Sequence, residues 1–374
     1  MGSNDDIRAF RVDVPDSVLD DLRERLARTR WPDQIPGSGW GYGTDLAYLQ
    51  DLCDHWRAKF DWRAQEQRFN RWPHFLTEID GQQIHFIHAR CDNPDALALI
   101  VTHGWPGSVA EFVDVIEPLR ETFHVVVPSL PGYGWSGPTV EPGWDVLRVA
   151  QAWATLMSRL GYERYGAQGG DWGAMVSAQL AAIDSEHMVG LHSNMLLAFP
   201  DDASGIELDA QELADLASAG EFMKDGAAYQ EIQGKNPQTL AYGLSDSPAG
   251  LAGWIVEKFR AWTDNNGNPE DAISRDQILT NITVYWVTET INSSTRLYCE
   301  SRRTNRFGPT DVNVTVPTAA AIFPKEIFRI PRAYAESRFN LVRYTRFDRG
   351  GHFAALEEPD LLVDDIRAFF EELR

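Results

Sequence analysis

Gly169-Gly170-Asp171-Trp172-Gly173 is the stretch on which the fold of this chain turns. It has the form glycine-x-nucleophile-x-glycine, with a carboxylate at the position where serine is more usual. Residues 164–168 before it can run as a short strand, and 174–183 after it are rich in helix formers. A strand and a helix joined by a one-residue apex need glycine on both sides, because the backbone is strained there and neighbouring bulk would block an approaching molecule. Serine at the apex would attack a carbonyl. Aspartate points instead to displacement at an sp3 carbon, leaving an ester whose carbonyl belongs to the protein.

Outward from the apex, 97–102 and 124–128 are short, continuous apolar runs of the kind that buried parallel strands carry. Residues 75–79 and 84–88 flank Asp80-Gly81, a hairpin signal. Helical patterns occupy 109–119 and 144–160, and 191–195 reads as a further strand. Residues 196–313 are helix-like and loop-rich, with prolines at 200, 237, 248 and 269. Apolar strand patterns resume at 319–323 and 341–347, and 359–373 closes as an amphipathic helix. The region 10–72 reads as helices and loops. One helix opens at Pro15-Asp16-Ser17, carries Leu19, Leu22 and Leu26 on one face and ends at Arg30-Trp31-Pro32; a second, 45–60, carries Leu46, Leu49, Leu52 and Trp56. Strand and helix alternate, with one helical interruption. This predicts an α/β fold: a mostly parallel central sheet flanked by helices, a helical lid and an N-terminal helical extension. The expected divisions are 1–85 for the extension, 86–195 with 315–374 for the core, and 196–314 for the lid.

The chain's 374 residues suffice for a large core, and 43% hydrophobic with 24% charged residues is ordinary for a soluble enzyme. A formal charge of -21 argues against nucleic acid and anionic membrane as partners. Cys53, Cys91 and Cys299 are too scattered for a disulfide framework or a zinc site and fit a reducing, cytoplasmic setting. Met1-Gly2-Ser3-Asn4-Asp5-Asp6 shows no secretory signal, and Asp6 stands where a myristoylation motif needs Ser or Thr. Many of the 13 tryptophans precede residue 106, which suggests broad apolar surfaces between subregions. The N-terminal segment could wrap the lid or bridge a homodimer. Gly132-x-Gly134-x-x-Gly137 satisfies a dinucleotide fingerprint on paper, but Pro131, Trp135, Pro138 and Pro142 deny it the following helix. His85 and His88 would point to opposite faces of a strand. No cofactor and no metal is expected.

Further segments fall in the order that acyl-transfer chemistry needs. His103-Gly104-Trp105-Pro106-Gly107 follows the 97–102 strand, and the Trp105 amide is a candidate oxyanion donor. The Trp172 amide, next to the nucleophile, is the second. Taken alone, HGWPG could be merely a turn. Gly350-Gly351-His352-Phe353 follows the last apolar strand, where His352 suits a general base. A lone histidine is more often structural, but only this one stands in the nucleophile-acid-histidine chain order. Glu326, in Phe323-Pro324-Lys325-Glu326, is the expected acid, with Asp348, Glu357 and Glu358 as rivals closer to His352 in sequence.

With Arg30-Trp31-Pro32, Trp72-Pro73 and Pro131-Gly132-Tyr133-Gly134-Trp135-Ser136 added to these motifs, nearly the whole chain resembles an α/β-hydrolase-fold epoxide hydrolase of the microsomal-type branch. The resemblance implies conversion of an epoxide to a vicinal diol through a covalent alkyl-enzyme ester on Asp171. It also implies two lid tyrosines acting as acids toward the epoxide oxygen. Tyr298, in Ser294-Thr295-Arg296-Leu297-Tyr298-Cys299-Glu300, matches one such motif; the other is Tyr229, with Tyr242 and Tyr285 as alternatives. Microsomal members carry an N-terminal membrane anchor, and this chain begins at the extension, so no membrane partner is expected. The aromatic composition suggests a small-molecule epoxide that is bulky, apolar or aromatic. A haloalkane dehalogenase would use the same aspartate, with Trp172 binding halide. A non-catalytic ligand-binding protein on this fold should tolerate loss of at least one of the three groups that are all present here.

Overall fold

The computed structural model describes residues 6–308 and 312–373. Residues 1–5, which carry most of the signal and lipidation readings, and 309–311, in the expected lid segment, lie outside the described residues. Among the described residues nine strands form one sheet. They are β1 (Arg8–Phe10), β2 (His74–Ile79), β3 (Gln82–Ala89), β4 (Leu97–Thr102), β5 (Phe123–Pro128), β6 (Tyr165–Gly169), β7 (Met188–Ser193), β8 (Val314–Ile322) and β9 (Phe339–Arg346). Their spatial order is β1-β2-β3-β5-β4-β6-β7-β8-β9. The β1–β2, β2–β3 and β3–β5 pairings are antiparallel, and every pairing from β5 to β9 is parallel.

The central strands are apolar throughout because both faces are covered. In β4, Ala98 and Ile100 pack into one buried cluster with Trp153 and Leu156, while Leu99 and Val101 pack into the other with Ile116 and Phe369. The helices supplying those surfaces are α1 (Asp16–Ala27), α2 (Leu46–Ala58) and α3 (Trp62–Phe69) in the extension, and α4 (Val113–Arg120), α5 (Val146–Arg159) and α6 (Trp172–Ile183) against the sheet. The lid carries α7 (Ala210–Glu221), α8 (Ala228–Lys235), α9 (Pro237–Asp246), α10 (Pro248–Trp262), α11 (Arg275–Val287) and α12 (Ile291–Arg303). The chain closes with α13 (Arg332–Glu336), α14 (Ala354–Glu357) and α15 (Pro359–Glu371). Lid prolines punctuate helices rather than break them: Pro237 and Pro248 open α9 and α10, where a missing N–H costs nothing. None of the described helices is long and apolar enough to cross a membrane.

Several details differ from the sequence pattern. The 109–119 helix is a 3-10 turn, Val109–Phe112, followed by α4, because the Ser108 hydroxyl caps the Ala110 amide at 3.2 Å and starts the turn tightly. The division expected between residues 85 and 86 falls inside β3, whose residues Phe86 to Ala89 pair with β5. A hairpin whose second strand joins the main sheet cannot be separated from it at that point. His85 hydrogen-bonds His74 at 2.8 Å and Ser129 at 2.9 Å, whereas His88 meets the Tyr162 hydroxyl at 2.8 Å, so the two imidazoles serve separate structural networks.

The extension lies against the lid. Trp56 donates its indole N–H to the Thr283 hydroxyl at 2.9 Å, Thr44 donates to the Gly253 carbonyl at 2.6 Å, and Arg275 pairs with Asp51 at 2.8 Å. Of the two uses considered for this tryptophan-rich segment, wrapping the lid is the one realised within the chain.

Candidate active site

The apex between β6 and α6 places Asp171 at φ 50° and ψ -128°, a conformation that a non-glycine residue holds only when its surroundings over-determine it. Close approach enforces the turn: a Cβ on Gly173 would lie 1.9 Å from the Thr102 carbonyl oxygen at the end of β4. The strain holds the Asp171 carboxylate above the strand ends. Its Oδ1 accepts a hydrogen bond of 2.7 Å from the Trp105 amide. Trp172 is the first residue of α6, so its own amide has no intrahelical acceptor.

His352 arrives on the loop after β9, with Nε2 3.5 Å from Asp171 Oδ2. Its Nδ1 donates to Glu326 Oε1 at 2.7 Å. Glu326 is 1% exposed and also accepts the Ile327 amide at 2.7 Å. Burial alone would drag the imidazole pKa down, but the Glu326 and Asp171 charges hold it well above the ordinary histidine value. The rival acids are engaged elsewhere. Asp348 is exposed, and Glu358 pairs with Arg349 at 2.9 Å. Glu357 accepts the Phe353 amide at 2.9 Å and the Asp264 amide at 2.7 Å, while the His352 amide donates to the Trp262 carbonyl at 2.9 Å. These bonds fasten the histidine loop to the end of lid helix α10. Sequence reasoning weighed Glu357 only as a triad acid and missed this bracing role; its sole cue was a carboxylate five residues after the histidine.

From the lid, Tyr229 on α8 and Tyr298 on α12 descend toward the same carboxylate. Tyr229 stacks on Trp105 at 5.3 Å between ring centroids, and Tyr298 meets Trp172 edge-on at 4.6 Å. Burial, with the Asp171 charge adding to it, raises both phenols above the usual tyrosine value, so both are neutral hydrogen-bond donors at neutral pH. Tyr242 is 72% exposed, and Tyr285 donates its hydroxyl to the Gly107 carbonyl at 2.7 Å. Asp171, Tyr229 and Tyr298 line a cavity of about 580 Å³ whose walls include Trp172, Phe199, Phe307 and Phe328. On its other side Asp171 borders a cavity of about 20 Å³, together with His352 and Glu111. Among the described residues no group of three or more His, Cys, Asp or Glu could hold a metal ion.

Comparison with known proteins agrees with this architecture. Residues 7–112 match the family described as epoxide hydrolase N terminus, and residues 98–231 match the alpha/beta hydrolase fold family. A Stigmatella aurantiaca protein provisionally named an epoxide hydrolase is 44% identical, over 98% of this chain and 86% of its own length. Epoxide hydrolase 1 of Sus scrofa is 35% identical, over 98% of this chain and 89% of its own. The crystal structure of the juvenile hormone epoxide hydrolase from the silkworm Bombyx mori superposes with a TM-score of 0.92 at 31% identity, covering 99% of this chain and 95% of that one. The structure of the Aspergillus niger epoxide hydrolase does so with a TM-score of 0.89 at 32% identity, covering 99% and 97%. With the sheet, the lid and these relatives in agreement, the chain belongs to the epoxide hydrolase family of the α/β-hydrolase fold.

Proposed function

We propose that this enzyme opens its epoxide through a covalent ester on Asp171. A carboxylate oxygen attacks an epoxide carbon while Tyr229 and Tyr298 donate hydrogen bonds to the departing oxygen. The ester is then hydrolysed by water that His352 deprotonates, with Glu326 holding the imidazole tautomer. The Trp105 and Trp172 amides stabilise the tetrahedral oxyanion at the Asp171 carboxyl carbon. One Asp171 oxygen leaves in the vicinal diol and is replaced from water. The observation that carries this reading is the position of Asp171, with two neutral phenols across a large apolar cavity on one side and an imidazole 3.5 Å away on the other. The charge balance supports it too. Forming the ester removes the Asp171 charge, one of the influences that raise the His352 pKa, so more of the imidazole is unprotonated and free to accept a proton when the second step calls for it.

The cavity volume lies in the range of small-molecule sites, and its aromatic and methionine walls support a bulky apolar or aromatic epoxide. The free cysteines Cys53, Cys91 and Cys299 support a cytoplasmic setting. The test is a single turnover of styrene oxide in heavy-oxygen water. The first diol released should carry both oxygens from protein and substrate. Solvent oxygen in that first diol would show direct attack by water and end the ester mechanism. Bromide release from a bromoalkane, without diol from the epoxide, would favour dehalogenation instead.

A further inference from the structure

Resting on the ester mechanism just given, we propose that the small cavity behind Asp171 is the site of the hydrolytic water, and that Glu111 is the residue that positions it. Among the described residues Asp171 alone lines both this cavity and the large lid cavity, so water held here meets the ester from the side opposite the substrate. The space suits a single water molecule: about 20 Å³, bordered by the polar side chains of Asp171, His352, Glu111, Gln168 and Asn194. Gln168 is 1% exposed and gives its Nε2 to Asn194 Oδ1 at 3.0 Å, while its Oε1 has no partner among the described residues. A buried acceptor left open costs stability unless something fills it, and water here would.

Glu111 reaches the cavity through a gap in the backbone. A Cβ on Gly107 would stand 1.3 Å from Glu111 Oε1, so any side chain at 107 would expel the carboxyl from its place. The Glu111 side chain belongs to no other function described above. Burial pushes its pKa up to about 8, against the pull of His352 and with the Asp171 charge adding to the rise. In the step assigned here, water gives one hydrogen bond to Glu111 and one proton to His352 Nε2 as its oxygen bonds to the Asp171 carboxyl carbon. The bond between the Asp171 carboxyl carbon and the ester oxygen then breaks, and the released alkoxide takes the proton from His352. The proton left on the new Asp171 carboxyl balances the one taken up by the epoxide oxygen when the ring opened, which restores the carboxylate. Glu111 ends the step in the protonation state in which it began.

Rapid-quench single turnovers with styrene oxide at pH 7 separate ester formation from ester breakdown. In Glu111→Ala, ester formation should stay close to wild type while breakdown slows by about 10²-fold, the cost of losing an oriented reactant, so the ester accumulates. Glu111→Gln, whose amide carbonyl still accepts from water, should recover most of that loss. The inference is overturned if Glu111→Ala breaks the ester down at the wild-type rate. It is equally overturned if both steps fall together and Glu111→Gln is as impaired, since that pattern marks a packing role. Solvent oxygen in the first diol released by the wild type defeats the ester mechanism and this inference with it.

Discussion

Removing one hydroxyl from the lid is the sharpest test of how the epoxide oxygen is stabilised. In Tyr298→Phe the ring keeps its edge contact with Trp172 at 4.6 Å and its approach to Tyr229 at 5.9 Å, so folding should be nearly unaffected. What disappears is one of the two donors proposed to face the developing alkoxide, in a buried site. A donor of this kind is worth about 2.7–4 kcal/mol in the transition state. At about 1.36 kcal/mol per decade, that predicts alkylation slower by about 10²- to 10³-fold. Tyr229→Phe should lose a similar amount. The assay is the rate of Asp171 ester formation in a single turnover, with thermal melting as the control for folding. Because burial raises both phenols, wild-type alkylation should show no loss from their ionisation until the pH exceeds the free tyrosine value of about 10. If Tyr298→Phe alkylates within a factor of about three of wild type with an unchanged melt, well short of one oxyanion-donor contribution, the phenols are not the acids.

Replacing His352 with Gln should leave alkylation and abolish breakdown, and intact-mass measurement should find the protein heavier by one epoxide; recovery of unmodified protein after exhaustive turnover would contradict this. Glu111 makes a prediction about stability against pH. With a folded pKa of about 8 and an ordinary value of 4.5, the native state keeps a proton that the unfolded chain has lost, so stability falls as pH rises through that window. Glu111→Gln should therefore gain urea resistance relative to wild type between pH 5 and pH 8.5, and parallel curves for the two proteins would refute the shift. Trp56→Ala, which removes a 3% exposed side chain bonded to Thr283 across the extension–lid contact, should cost about 3–5 kcal/mol in urea unfolding. A loss below about 1 kcal/mol, the worth of a lone hydrogen bond, would mean that the extension does not clamp the lid.

The parallel core was readable in advance because continuous apolar runs such as Leu97–Thr102 have few alternatives to burial on both faces. The segments bearing Asp171, Glu326 and His352 follow β6, β8 and β9, so their convergence at the carboxyl ends of the parallel strands is implicit in chain order. Less was legible where identity depends on contacts between distant segments. Nothing local distinguishes Tyr229 from Tyr242 or Tyr285; burial beside Trp105, exposure on α9 and a bond to Gly107 do. The three residues of β1 are too few to show an alternation, and they become a strand only because β2 offers an edge. Glu111 belongs to no motif and gains meaning only once Gly107 leaves room for its carboxyl.

The fastening of α10 to the histidine loop, through Glu357 and the Trp262 carbonyl, has a practical bearing on redesign. The Trp262 ring packs against both Tyr229, in the cavity wall, and His352, so substitutions at this end of α10 should disturb the cavity wall and the imidazole together. Met223, Phe199 and Phe328 line the chamber without belonging to that brace, so mutagenesis libraries confined to them can retune which epoxides enter while leaving the proton-transfer geometry alone.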